Sequence, residues 1–250
     1  MVHFVGAGSG AVDLITVRGQ KLLQNADIII YAGSLVNPEL LKEAKESCMI
    51  YNSAYMTLEE VLKVMEENSQ KEIVRLHTGD TSLYGAIREQ MDALKQKNIP
   101  FAICPGVSSF CGAAASLQME YTLPGVSQTV IITRMAGKTP VPEKEDIAKL
   151  AEHQATMVIF LSTGLLEGLE KKLQWGGCPK DMPAAIVYKA TWEDEKIIHC
   201  TVSTLAQSAK ENHITKTALI IVGNVLGDSY ERSLLYHPDF DTEFRKAEKI

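Results

Sequence analysis

Residues 74–86 read Val74-Arg75-Leu76-His77-Thr78-Gly79-Asp80-Thr81-Ser82-Leu83-Tyr84-Gly85-Ala86, or VRLHTGDTSLYGA. An apolar strand runs straight into Thr-Gly-Asp-Thr-Ser, and a helical pattern follows at once. Strand, compact polar turn and helix form the repeating unit of an open α/β sheet, and the carboxyl edge of such a sheet is where ligands bind.

The pattern recurs on both sides of this stretch. Residues 2–5, 28–31, 73–76 and 101–104 read as short buried strands, and residues near 17–26, 38–47, 57–68 and 84–97 read as helices. Thr57 followed three residues later by Glu60 forms a capping-box signature for the third helix. This alternation predicts a largely parallel sheet covered on both faces. The segment 118–125, ending in Pro124-Gly125, reads as a linker. Beyond it, strands are expected at 129–133, 157–161, 184–188, 197–202 and 219–222, with helices near 145–152, 164–174 and 203–211. Residues 191–196 separate two of these strands by a hairpin spacing, so the second sheet should be mixed. The fold class expected is α/β: an N-terminal α/β domain over 1–117 and a C-terminal α/β domain over 118–250, with a ligand cleft between them.

Composition narrows the function classes. The chain has 250 residues, 46% of them apolar, and a formal charge of −6 without a basic block. That argues against binding nucleic acid or an anionic membrane surface. The five cysteines form no C-x-x-C pair, which argues against a zinc site or a disulfide framework and points to the reduced cytosol. The N-terminus MVHFVGAG lacks a basic segment before its first strand and does not read as a signal peptide. The longest apolar runs are too short to span a bilayer.

Gly6-Ala7-Gly8-Ser9-Gly10-Ala11 satisfies the dinucleotide pattern G-x-G-x-x-A literally. Two details count against that reading. Residues 12–16 intervene before a convincing helix start, and the second strand lacks a terminal acid for a ribose. The other strand exits share one character: Thr78-Gly79-Asp80, Pro105-Gly106-Val107-Ser108-Ser109, Ser162-Thr163-Gly164, Lys189-Ala190-Thr191 and Gly223-Asn224. Small residues let backbone groups face a ligand directly. Such a surface suits a neutral, adenosine-like molecule better than a phosphate. For any one loop alone, the ordinary richness of α/β loops in Gly, Ser and Thr explains as much.

Taken in order, VGAGSGAVDLITVRG, VRLHTGDTSLYG, CPGVSSF and TALIIVG resemble the S-adenosylmethionine-dependent tetrapyrrole methylases over nearly the whole chain. The stretches YAGSLVNPELL at 31–41 and TVIITRMAGKTPVPE at 129–143 are similar to the branch that methylates C11 of precorrin-4 or cobalt-precorrin-4 in cobalamin synthesis. Related readings are a methylase of another precorrin ring carbon and diphthine synthase. An NAD(P)-dependent oxidoreductase built on the first glycine loop is the reading from a different class.

The resemblance implies two α/β domains, a homodimer, an interdomain active site, S-adenosyl-L-methionine as cofactor and a precorrin substrate. It places Thr78, Gly79, Asp80 and Leu83 at the cofactor's methionine part and ribose, with the small polar pair Ser108 and Ser109 nearby. Leu161 and Ala190 are expected around the adenine, and Ala218 at the start of the last strand. Ser9 is expected at the cleft mouth, touching cofactor and substrate, with Gly8 beside it. The activated methyl requires no metal. Asp80 is the candidate general base, although a carboxylate that grips the cofactor is the plainer role. His77 could accept a proton, or be a buried strand-end histidine. The substrate's acetates and propionates call for local cations, and Arg18, Arg134 and Lys138 are the candidates because guanidinium and ammonium groups bind carboxylates. Each could equally be a solvated surface charge.

Overall fold

The computed structural model describes residues 1–247. Its contacts divide the chain into two units: Met1–Ser116 together with Lys189–Lys196, and Leu117–Tyr188 together with residue 197 onward. The sequence reading assigned all of 118–250 to one domain; the contact division moves Lys189–Lys196 into the first unit.

In the first unit, β1 (Val2–Gly6), β2 (Ile28–Tyr31), β3 (Met49–Asn52), β4 (Ile73–His77) and β5 (Phe101–Cys104) form a sheet in the order β3-β2-β4-β1-β5. Every pairing in it is parallel. Side chains alternate between the two faces of each strand. Val5, Ile29, Val74 and Leu76 therefore pack on one face with Leu23 of α1 (Val17–Asn25) and Leu40. Val2, Phe4, Ile28, Ile30 and Ile73 pack on the other face with Val61 and Met65 of α2 (Leu58–Glu67) and Leu94 of α3 (Ile87–Gln96). The expected capping box opens α2: the Glu60 N–H donates to Thr57 Oγ1 at 3.3 Å, and the Thr57 N–H donates to Glu60 Oε2 at 2.7 Å.

Three elements differ from expectation. Residues 38–47 do not form an α-helix; a 3-10 turn spans Pro38–Glu43. The edge strand β3 went unread, because two of its four residues, Met49 and Ile50, are exposed and no burial pattern marks it. The helix α4 (Ser109–Ser116) also went unread, because SFCGAAAS is small and apolar all round and carries no helical period.

In the second unit, β6 (Val130–Arg134), β7 (Thr156–Phe160), β8 (Pro183–Tyr188), β9 (Lys196–Thr201) and β10 (Ala218–Val222) lie in the order β6-β7-β10-β8-β9. The sheet is mixed as expected: β6 and β7 are parallel, and β10 runs antiparallel to both β7 and β8. Its core joins Met157, Ile186 and Ile220 to α5 (Ile147–Ala151), α6 (Leu166–Trp175) and α7 (Leu205–Glu211). Among the described residues no helix is long and apolar enough to cross a membrane.

Candidate functional site

Because the first sheet is parallel, the exits of β1, β4 and β5 lie at one edge. There the chain meets itself backbone to backbone. A Cβ on Gly6 would lie 2.5 Å from the Gly79 carbonyl oxygen and 2.7 Å from Gly106 Cα. A Cβ on Gly106 would lie 2.2 Å from that same oxygen. Gly8 and Gly79, both at positive φ, exchange backbone hydrogen bonds at 3.2 and 2.9 Å. Glycine is the residue that tolerates both the conformation and the approach. The N–H of Gly8 is thus used within the protein. The loop leads into a 3-10 turn at Val12–Leu14, and α1 begins only at Val17 with Thr16 as its cap. A dinucleotide site needs the glycine loop to open directly into a helix N-terminus, so that reading is removed.

Asp80 ties the edge together. Its Oδ1 accepts hydrogen bonds from the Ser82 N–H at 2.9 Å and from the Ser82 hydroxyl, and its Oδ2 accepts from the Gly106 N–H at 2.8 Å. Partial burial, the largest single influence, raises its pKa. The Ser82 hydroxyl, the Gly106 N–H and the Ser82 N–H together outweigh burial and hold the carboxyl below the usual aspartate range. Thr78 is exposed, Gly79 buried and Leu83 half-buried on the same turn. Ser108 is buried, and its carbonyl accepts the Cys111 and Gly112 N–H groups that open α4. Ser109 begins that helix, with its nitrogen 3.4 Å from where a Gly79 side chain would start. The structure therefore gathers Thr78, Gly79, Asp80, Leu83, Ser108 and Ser109 at one edge.

Alternation along β4 places Arg75 and His77 on one face. Arg75 is buried, donating to the Ile30 carbonyl at 3.1 Å and to Gln90 Oε1 at 3.3 Å, and burial brings its pKa down to about 10. Burial and then the neighbouring Arg75 charge push His77 down to about 3. Among the described residues His77 Nε2 has no hydrogen-bond partner. His77 is a neutral buried side chain against Phe4, with ring centroids 6.2 Å apart.

The glycine loop is covered by Lys189–Lys196. Ser9 is 5% exposed, and its Oγ lies 3.0 Å from Thr191 Oγ1, which also accepts the Ala11 N–H at 3.0 Å. Gly10 has no room for a side chain, since its Cβ would lie 2.1 Å from Trp192 Cδ1. Gly8 is also buried, and a Cβ there would lie 2.6 Å from the Leu14 carbonyl oxygen. In this unit Ser9 and Gly8 lie beneath neighbouring chain, and Ala190, whose carbonyl oxygen lies 2.6 Å from where a Gly10 side chain would start, is 4% exposed. Arg18 is exposed on the first turn of α1.

The exits of the second sheet are of another kind. Leu161 follows β7 at φ +52°, with 66% of its surface exposed. Ser162 holds that turn: its hydroxyl donates to the Phe160 carbonyl at 2.6 Å and accepts the Met135 N–H at 2.9 Å. Thr163 Oγ1 donates to the carbonyl of buried Ala218 at 3.2 Å. The Arg134 guanidinium donates to the carbonyls of Met135, Thr139 and Pro140, organising the loop that presents exposed Lys138. Sequence reading named neither Ser162 nor Glu195, whose Oε2 accepts the Thr191 N–H, as an organising residue. Among the described residues no group of three His, Cys, Asp or Glu side chains could hold a metal ion.

Residues 1–206 match the family model of the tetrapyrrole (corrin/porphyrin) methylases. The chain belongs to the tetrapyrrole methylases. The methylase is 52% identical to the cobalt-precorrin-4 C(11)-methyltransferase of Methanocaldococcus jannaschii, covering 99% of this chain and 97% of the relative. It is 44% identical to the protein of the same name from Priestia megaterium, over 99% and 98% of the two chains. A solved structure described as a cobalamin biosynthetic enzyme, cobalt precorrin-4 methyltransferase, superposes with a TM-score of 0.88 at 44% identity, over 91% of this chain and 96% of that one. At the β4 exit the methylase presents a small-residue backbone edge and one carboxylate, that of Asp80.

Proposed function

We propose that the chain transfers the methyl group of S-adenosyl-L-methionine to C11 of precorrin-4, in its cobalt form, within cobalamin synthesis. The observation that carries this reading is the 52% identity, over 99% of the chain, to a cobalt-precorrin-4 C(11)-methyltransferase.

The bound cofactor supplies a methyl group already activated by a sulfonium, so the protein's task is alignment. Holding a ring carbon in line with that methyl contributes roughly 7–11 kcal/mol. In our reading Thr78, Gly79 and Leu83 hold the methionine part and ribose, with Ser108 and Ser109 alongside. Ala190, Leu161 and Ala218 receive the adenine. Asp80 fixes the turn through its three accepted hydrogen bonds and offers a negative charge to the sulfonium. Its lowered pKa makes it a weak base, so its contribution is to binding more than to proton removal. Arg18, Arg134 and Lys138 meet the substrate carboxylates, with Ser9 and Gly8 shaping the loop nearby. The working form is a homodimer in the cytoplasm, where the five free cysteines stay reduced.

The test is an incubation of purified protein with methyl-labelled cofactor and precorrin-4, with and without cobalt. Mass spectrometry and carbon NMR read the product. One methyl at C11, faster with cobalt, is the expected result. Methylation at another carbon, or calorimetry that finds no binding of S-adenosylhomocysteine, overturns the reading. Light scattering on the purified protein checks the dimer.

A further inference from the structure

The Lys189–Lys196 segment links β8 to β9 and belongs by its contacts to the first unit. Its backbone is unusual at two places: Lys189 has φ +48° and Thr191 has φ +67°. A β-branched residue in the left-handed region is a genuine outlier, and it persists only where its surroundings over-determine it. Here the surroundings are explicit. One carboxylate oxygen, Glu195 Oε2, accepts hydrogen bonds from the Thr191 N–H and from the Ser116 hydroxyl at the end of α4. The Thr191 hydroxyl in turn meets Ser9 Oγ and the Ala11 N–H. Two glycines make room for this arrangement. Gly10 lies under the Trp192 ring, and a Cβ on Gly112 would lie 2.6 Å from Ser9 Cβ and 3.1 Å from Thr191 Cγ2.

We infer that Glu195 is a positioning residue for methyl transfer. It anchors the strained turn to α4, and the turn sets both Ala190 and the glycine loop. The chain of contacts runs from Ser116 through Glu195 and Thr191 to Ser9. A side chain that fixes a neighbour's geometry, without touching the ligand, acts as the supporting shell of a site. The inference rests on Ala190 being a contact to the methyl donor.

The experiment compares Glu195→Ala, Glu195→Gln and Ser116→Ala with the wild type. Calorimetry gives the dissociation constant of S-adenosylhomocysteine, steady-state kinetics gives kcat and the KM for the methyl donor, and a melting curve gives Tm. Glu195→Ala should raise the dissociation constant and KM about tenfold, about 1.4 kcal/mol, with kcat less affected and Tm close to wild type. Glu195→Gln should recover most of the affinity, because its amide oxygen still accepts both donors. Unchanged affinity in Glu195→Ala overturns the inference. So does a Glu195→Gln variant as weak as Glu195→Ala, or an affinity loss that merely follows Tm. If Glu195→Ala does not fold, Ser116→Ala decides: a severalfold weaker complex supports the inference and an unchanged one refutes it. A wild type that fails to bind S-adenosylhomocysteine refutes the cofactor reading first, and the positioning role with it.

Discussion

The exits of the two sheets solve the problem of presenting a surface in opposite ways. In the first unit the strand exits are clipped together through backbone: Gly6, Gly79 and Gly106 pack without side chains, and Asp80 stitches two loops with three hydrogen bonds. In the second unit the exits present side chains held by polar turns: Leu161 stands out above Ser162, and Arg134 braces the loop that carries Lys138. The first arrangement makes the shape of the edge inseparable from stability. The second lets a side chain change while the turn beneath it stays. A substitution should therefore cost stability in one unit and much less in the other.

The sharpest way to break this contrast is Gly106→Ala. Its new Cβ would be 2.2 Å from one backbone oxygen and 2.7 Å from Gly6 Cα, and backbone cannot rotate out of the way. Overpacking of this severity should cost about 3 kcal/mol or more, read as a large fall in the denaturation midpoint. A variant as stable as wild type would show that the backbone contacts are not what hold the edge.

Asp80→Ala comes next. Losing hydrogen bonds to a charged group commonly costs about 1.5–3 kcal/mol, and the loss should appear in both cofactor affinity and stability. Should turnover collapse while affinity and stability hold, Asp80 handles a proton instead.

His77 gives a smaller, pH-dependent effect. Its pKa in the folded protein is about 3, against 6.5 as its reference value. Between those values the unfolded chain binds a proton that the folded protein refuses, so stability falls as the pH drops below about 6.5. The slope from this one group approaches about 1.4 kcal/mol per pH unit until the folded pKa is reached. Chemical denaturation at pH 7 and pH 5 should show the difference, and His77→Phe should flatten it.

The smallest effect tests the other unit. Gly164 follows β7 in the turn that presents Leu161, and a Cβ there would meet nothing within 4 Å. Gly164→Ala should be neutral or stabilise by about 0.4–1 kcal/mol by restricting the unfolded chain. A large loss of stability there would erase the distinction between the two edges.

Much of this was legible in the chain. The β-branched runs at 28–31 and 73–76 located strands because a sheet buried on both faces needs apolar residues in succession. The Thr57–Glu60 pair located a helix start because the two side chains satisfy two backbone donors. The turn after β4 stood out by its small residues, and the structure brings it to one edge with the exits of β1 and β5. The partners of those residues were not legible. Asp80 looked like a contact or a base, and its three hydrogen-bond donors come partly from Gly106, a residue 26 positions away. Ser9 was expected at an opening, and Thr191, 182 positions distant, covers it.

The sequence by itself determined the periodicities, the α/β class, the glycine positions and the family, because each depends on local pattern or on ordered motifs. Only the tertiary structure decided that Thr191 would be driven to a left-handed conformation, that Glu195 would bridge it to Ser116, and that burial would lower the pKa of His77. Each of these is set by groups far apart in the chain, whose burial and hydrogen bonds exist only once the fold has brought them together.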